Sequence, residues 1–208
     1  MRKGIALVCT AFILGTSGYA QPWRLGAYAY PQANFLGKNT LGMGSVKGKG
    51  FSIGGGGYFE HCILDAFAYS IGVGYTHLSN CYNPSDVAAL DLTTTDKMGF
   101  ISIPIIATYN FYATDNIKLG IFTGITIEQL IKAKQVVAGM EYPVDLSNQK
   151  KTYSSWLVGV NFTYLFSEEM GISIMPAYSH LFKFSDIQSA SKYNGFGGQI
   201  RFFVGFGN

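Results

Sequence analysis

The sequence is built on a two-residue alternation that recurs in eight segments. In the segment AFAYSIGVGYTHLSN (66–80), for example, Val73 and Tyr75 alternate with Gly72 and Gly74. A period of two places successive side chains on opposite faces of a β-strand, so the pattern predicts strands with two different environments. The eight segments are 23–30, 51–60, 66–80, 100–111, 117–128, 155–166, 170–180 and 195–206.

The two faces of these segments differ in a way that favours lipid on the outside. One face carries large apolar and aromatic side chains, and the other carries glycine, serine, threonine and a few charges. Only 13% of the residues are charged, against about 25% in soluble domains. A soluble eight-stranded calyx is the alternative, but its outer face would need many more lysines and glutamates. The near balance of 15 basic and 12 acidic residues indicates no nucleic-acid partner.

The connections between the segments alternate between short and long. Short turns are predicted at 61–65, 113–116 and 167–169, and long polar loops at 31–50, 80–97, 129–153 and 182–194. Bacterial outer-membrane barrels have this arrangement, with the long loops outside the cell, and only a closed sheet satisfies the backbone in lipid. The sequence therefore predicts an all-β protein of the bacterial outer membrane. Its fold would be an eight-stranded antiparallel up-and-down transmembrane β-barrel in contact with lipid and lipopolysaccharide.

The first twenty residues have the features of a signal peptide. Arg2 and Lys3 precede the apolar run IALVCTAFIL, and the stretch GYA (18–20) is a small-x-small cleavage site. An N-terminal membrane anchor is the alternative, but a membrane-spanning helix needs at least about 17 apolar residues. We therefore expect a signal peptide at 1–20 and an outer-membrane barrel domain at 21–208.

Three stretches carry a resemblance to a known family. They are ISIPIIATYNFY (101–112), the following IKLGIFTGITIEQLI (117–131) and ISIMPAYSHLF (172–182). Together they resemble the PorT-like outer-membrane β-barrel family of Gram-negative Bacteroidetes, whose members carry an IPL-x-x-x-Y-x-F strand, a turn and a G-x-x-x-G strand. The resemblance implies an eight-stranded barrel that is often of unassigned function, with some members serving protein secretion.

The inward face carries charges that must be accommodated in a narrow interior. An eight-stranded barrel is just filled by its own side chains, whereas open channels need about sixteen strands, so a general porin is excluded. Charges in such an interior must pair. We predict an interior charge plug formed by Arg24, Glu60, Lys118 and Arg201, with a gate or a proton path as the alternative.

A run of four glycines in the second segment needs a separate explanation, because glycine weakens strands and leaves nothing to pack. Gly55 and Gly57 fall on the outward face, where they would leave a smooth dent in the lipid-facing wall. Small residues allow close approach between membrane-embedded surfaces. We therefore hypothesise a partner-docking patch at Gly55 and Gly57 for another envelope protein.

The stretch His77-Leu78-Ser79-Asn80 raises an enzymatic alternative. It resembles the H-x-S-N motif of outer-membrane lipid A deacylases, whose His and Ser lie on the lipid-facing wall. A nucleophilic serine needs a nearby base and an acid that orients the base. The candidate acids are Asp86, Asp91 and Asp96. The non-catalytic alternative is that His77 and Ser79 are interfacial residues at the level of the lipid headgroups.

These observations favour a non-enzymatic role. The sequence contains no phosphate loop, paired-carboxylate motif or metal-ligand spacing, so we expect no catalytic residues, no metal site and no cofactor. The predicted function is a scaffold or accessory subunit that acts through its extracellular loops or its lipid-facing wall, in protein secretion or envelope assembly. Lipid A deacylation by His77 and Ser79 is the alternative.

The two cysteines outside the signal peptide test the predicted barrel. Cys62 precedes the third segment and Cys81 follows it. A strand of about fourteen residues at roughly 3.3 Å each separates them, whereas a disulfide needs Cα atoms within about 7 Å. We therefore predict that no disulfide joins Cys62 to Cys81.

Overall fold

Nine antiparallel β-strands account for almost all of the chain that the computed structural model describes, which is residues 23–40, 45–64, 66–83, 94–145, 152–167, 169–182 and 193–206. The strands are β1 (Trp23–Thr40), β2 (Ser45–Leu64), β3 (Phe67–Asn83), β4 (Thr94–Ala113), β5 (Ile117–Val137), β6 (Met140–Pro143), β7 (Thr152–Leu165), β8 (Met170–Phe182) and β9 (Tyr193–Phe206). Among these described residues, no helix is long and apolar enough to cross a membrane.

Eight of the strands close into a barrel. Each pairs with its neighbours along the chain, and β9 pairs with β1 to complete the ring. The short strand β6 pairs only with the end of β5, where it forms a hairpin at the rim. The eight-stranded antiparallel up-and-down barrel predicted from the sequence is therefore confirmed.

The strands are strongly staggered around the barrel. From Trp23, the register passes through one residue of every barrel strand and returns to β1 at Ala33, ten residues further along. Such a stagger requires the strands to tilt by roughly 35–45° from the barrel axis. The tilt brings residues that are distant in sequence to the same level of the interior.

The outer wall is apolar and the inner wall is polar or small. Leu25 is 60% exposed while its neighbour Arg24 is only 9% exposed, and this alternation continues around the ring. Every barrel strand has exposed large apolar or aromatic side chains on its outer face. A continuous apolar surface of this extent on a closed sheet is suited to lipid. The face assignments made from the sequence are confirmed.

The strands are longer than the alternating segments indicated, so the four predicted long loops all overlap strands, two of them extensively. Most of the stretch 31–50 extends β1 and β2, and much of 129–153 belongs to β5 and β6. The hairpin between β5 and β6 turns at Ala138 (φ 50°) and Gly139 (φ 83°). Polar strand ends beyond the lipid still pair their backbones but carry no apolar alternation, so the pattern missed them.

The short turns are tighter than predicted as well. The turn predicted at 61–65 includes His61 and Cys62, but both residues lie in β2, opposite Tyr69 and Ala68. Cys81 lies at the other end of β3, and no disulfide joins it to Cys62, as predicted. The signal peptide predicted at 1–20 lies outside the described residues.

Candidate functional site

The half of the lumen near the short turns contains a buried charge cluster. Arg24 and Glu60 are opposite each other in the register of β1 and β2, and Arg24 Nη1 donates to Glu60 Oε1 at 2.9 Å. Arg201, from the closing strand β9, places Nη1 3.5 Å from Glu60 Oε2. One carboxylate is thus shared by two guanidinium groups. We call Arg24, Glu60 and Arg201 the plug.

Neighbouring side chains form further hydrogen bonds with Arg201 of the plug. Arg201 Nε donates to Gln199 Oε1 at 2.9 Å, and its Nη1 donates to Ser70 Oγ at 3.1 Å. The Arg201 guanidinium lies 4.5 Å from the centre of the Tyr58 ring. The Arg24 guanidinium lies at the same distance from the Phe203 ring. A buried ion pair is tolerated only when its geometry is good and its other hydrogen-bonding groups are satisfied, and the plug meets both conditions.

Aromatic and aliphatic side chains fill the lumen around and beyond the plug. One cluster contains Tyr28, Tyr58, Leu165 and Phe203, and a second contains Ile106, Phe122, Leu157, Met175 and Ala177. The small inner residues make room for them, since a Cβ on Gly26 would lie 2.5 Å from the Tyr58 ring and a Cβ on Gly74 would clash with the Tyr28 hydroxyl. The short-turn half of the lumen is therefore packed.

Lys118 is the predicted plug residue that the structure places elsewhere. It lies on β5 opposite Thr163, near the short turns, and among the described residues no ion pair joins it to Glu60. Arg24 and Arg201 already occupy the two carboxylate oxygens, and β5 stands across the barrel from β1 and β2. The two-residue alternation of the strand predicts that Lys118 points inward, but it does not predict which residue Lys118 contacts.

The half of the lumen near the long loops contains a cavity of about 140 Å³. All eight barrel strands contribute to its wall. Hydroxyl and amide groups line much of it and bond to one another, with Ser179 Oγ donating to Gln32 Oε1 at 2.9 Å and Thr76 Oγ1 lying 2.8 Å from Ser102 Oγ. Glu128 is the charged residue among the lining side chains that the structure describes. The sequence alone predicts no site here, although the inward carboxylate that ends the segment 117–128 could have indicated one.

The outer wall carries a patch of four small residues. Ala27 pairs with Gly57, and Ala29 pairs with Gly55, so the four positions form a block on β1 and β2. Larger exposed side chains border this small-residue patch on both sides, namely Ile200 and Phe202 on β9 and Val73 and Tyr75 on β3. A Cβ on Gly57 would meet its nearest neighbour, the Gly26 carbonyl oxygen, at an ordinary 3.7 Å. The fold therefore does not require glycine at position 57.

His77 and Ser79 lie on β3, opposite Ile53 and Phe51 of β2. Among the described residues, no hydrogen bond joins the two side chains. Asp96, one of the candidate acids, bonds to Gln135 Nε2 at 3.2 Å, and its position on β4 has inward parity. The other candidates, Asp86 and Asp91, lie outside the described residues. Within the part of the chain that is described, no group of three or more His, Cys, Asp or Glu residues could hold a metal ion.

Comparisons with known proteins give likenesses of fold only. No protein-family model matches the chain, and no curated protein matches it. Outer membrane protein W of E. coli is similar in structure, with 11% identity, coverage of 91% of this chain and 100% of that chain, and a TM-score of 0.46. Neisserial surface protein A shows 18% identity, 89% and 97% coverage and a TM-score of 0.42. OprG from Pseudomonas aeruginosa shows 8% identity, 90% and 95% coverage and a TM-score of 0.41.

The membrane assignment rests on the chain's own geometry. A sheet closed without edges satisfies every strand's backbone in a solvent that offers no hydrogen bonds, and its apolar wall faces outward around the whole ring. The chain is a transmembrane β-barrel of the bacterial outer membrane.

Proposed function

We propose that this protein is a non-enzymatic scaffold of the outer membrane that binds another envelope protein through its lipid-facing wall. The packed short-turn half of the lumen argues against a role as an open channel, since Arg201 and Phe203 there are almost completely buried. The observation that carries the proposal is the small-residue patch formed by Ala27, Ala29, Gly55 and Gly57.

The patch is suited to close contact within the membrane. Lipid tails are as apolar as the protein wall, so association there depends on tight packing between surfaces rather than on water exclusion. Small residues bordered by Tyr75 and Phe202 form a dent that a ridge of aliphatic side chains can enter. Since Gly57 has room for a side chain, the backbone gives no reason for glycine there, whereas a docking surface does.

The resemblance to the PorT-like family supports a more specific form of this proposal. In that form, the partner belongs to a protein-secretion or envelope-assembly machine, and the barrel acts as its accessory subunit. The strand ends that project at the long-loop side, including the β5–β6 hairpin, offer a second surface for the same assembly.

The small-residue patch is tested by filling it. Gly57→Leu places a large side chain in the dent, and we expect proteins that co-purify with the wild-type barrel in mild detergent to be lost. The matched control is Ala107→Leu, which places the same leucine side chain on the outer wall on β4, opposite Tyr69. Both variants must fold and insert. Retention of every co-purifying protein by the Gly57→Leu barrel would contradict the docking proposal.

Lipid A deacylation remains the rival function. Its support is the outward parity that His77 and Ser79 share with Val73 and Tyr75, as the deacylase resemblance requires. We expect lipid A mass spectra to be the same for cells that carry the wild-type protein and cells that carry Ser79→Ala. Loss of one acyl chain that depends on Ser79 would replace the scaffold with the enzyme.

A further inference from the structure

We propose that the lumen cavity binds a small organic ammonium ion, with Glu128 as its counter-charge. The cavity lies in the long-loop half of the barrel, beyond the packed clusters. It is separate from the small-residue patch on the outer wall, so the two proposals stand on different parts of the molecule.

Glu128 has no ion-pair partner among the described residues. It is also the charged side chain among the described residues that line the cavity. Ser102 and Thr76, whose hydroxyl oxygens lie 2.8 Å apart, line the cavity together with Glu128. Hydroxyl groups solvate a carboxylate but do not neutralise it, so a cationic ligand would stabilise the ionised form of a confined carboxylate of this kind.

The plug contains two guanidinium groups and one carboxylate and so carries a net charge of +1, but among the described residues neither guanidinium group forms an ion pair with Glu128. Arg201 is committed to Glu60, and its guanidinium is covered by the Tyr58 ring. Tyr28 belongs to the cluster that packs around the plug and also lines the cavity, and it lies within electrostatic reach of both Arg201 and Glu128. A neutral side chain therefore stands between the plug and the cavity that Glu128 lines.

Aromatic rings favour an organic cation over a metal ion. Tyr28, Tyr30, Phe100 and Tyr153 line the cavity, and the rings of Phe100 and Tyr153 meet edge to face with centroids 5.9 Å apart. An ammonium group is attracted to the faces of such rings. The described residues hold no cluster of three metal-ligating side chains, so an alkylammonium ion fits this wall better than a transition metal.

The volume sets the size of the ligand. A cavity of about 140 Å³ is similar to the roughly 150 Å³ cavity that accommodates benzene in another protein. The cavity therefore has room for a ligand of about six non-hydrogen atoms, and butylammonium fits within it. Because the lumen is packed on the short-turn side of the cavity, the site would hold its ligand rather than pass it through the barrel.

The test compares butylammonium with butanol, a neutral molecule of the same size, on the purified barrel in detergent. Ligand-observed NMR titration gives both affinities. We expect the wild-type barrel to bind butylammonium at least about tenfold more tightly than butanol, since hydrogen bonds to charged groups are stronger than neutral ones. Glu128→Gln should abolish this preference. Glu169→Gln, which removes a carboxylate from an exposed short turn, should leave it unchanged.

Three outcomes would overturn the proposal. They are equal binding of butylammonium by the Glu128→Gln barrel, equal binding of butanol and butylammonium by the wild type, and full displacement of butylammonium by equimolar sodium or potassium, which would make this an inorganic cation site. A second variant keeps the test valid if Glu128→Gln does not fold. Phe100→Leu retains the carboxylate and removes one ring, so butylammonium should bind severalfold more weakly while butanol binding stays the same.

Discussion

The two halves of the lumen have the same kind of wall but opposite ways of dealing with charge. Near the short turns, one carboxylate, Glu60, lies between two guanidinium groups, and the hydrogen bonds of the cluster are made within the barrel. Near the long loops, Glu128 faces a cavity lined by neutral hydroxyl, amide and aromatic groups. In the first half the carboxylate forms ion pairs within the barrel, whereas in the second half no described lysine or arginine forms an ion pair with the carboxylate.

The difference shows that a small barrel need not be uniformly filled. The packed half supplies the tight interior that an eight-stranded barrel is expected to have, with tyrosine and phenylalanine rings set against glycine on the opposite wall. The cavity half keeps the strands paired but leaves space between the side chains. We therefore assign stability to the short-turn half of the lumen and ligand binding to the long-loop half. Three experiments test this assignment.

The largest effect is expected from the plug. Glu60→Gln would leave Arg24 and Arg201 buried without a counter-charge, and breaking a buried pair in this way costs about 3–5 kcal/mol. We expect the free energy of unfolding, measured by urea titration of the barrel in detergent, to fall by that amount. The control is Glu169→Gln, which makes the same chemical change at an exposed turn. A fall no larger than that of the control would remove the plug as a stabilising element.

The same substitution in the other half should have a different result. Glu128 has no ion-pair partner among the described residues, so Glu128→Gln removes a confined charge rather than breaking a pair. Without ligand, we expect the free energy of unfolding to stay the same or to rise by about 1 kcal/mol. If the loss in the same urea titration matched that of Glu60→Gln, the contrast between the two halves would be wrong.

The smallest effect is expected from a triad of one carboxylate and two lysines, which lies beyond the apolar wall. Glu141 on β6 accepts from Lys97 Nζ at 2.9 Å and from Lys134 Nζ at 2.8 Å, the same arrangement of charges as the plug but exposed to solvent. The two lysines hold the pKa of Glu141 at about 2, below its ordinary value of 4.5. A lowered carboxyl pKa stabilises the folded hairpin above pH 4.5, and this contribution is lost as the pH falls from 4.5 towards 2.

NMR titration of the Glu141 carboxyl group checks this expectation, with Glu141→Gln to assign the signal. At low salt the pKa should be about 2, and in 1 M salt it should rise towards 4.5, because the Debye length shrinks to about 3 Å. Global unfolding should not change measurably in the Glu141→Gln barrel, since exposed pairs contribute little. An ordinary pKa at low salt would mean that the triad does not form in solution.

Local patterns were enough to predict which side chains face inward. Arg24 at the start of β1 and Glu60 near the end of β2 could be placed at the same end of the barrel because antiparallel neighbours connected in sequence must meet there. Lys118 shared the inward parity but not the location. The projecting ends of β1, β2 and β5 were missed, because polar strands beyond the lipid have no apolar alternation to reveal them.

The sequence by itself determined the number of barrel strands, the two faces and the closed sheet. These follow from the period of two and from the requirement that lipid places on every exposed side chain and backbone group. Only the tertiary structure decided which interior groups meet. The ten-residue stagger between Trp23 and Ala33 sets the level of each side chain. It joins Arg201 to Ser70 across 131 positions and Ser179 to Gln32 across 147. No local pattern encodes contacts over such distances, so the plug's partners and the cavity appear only when the barrel closes.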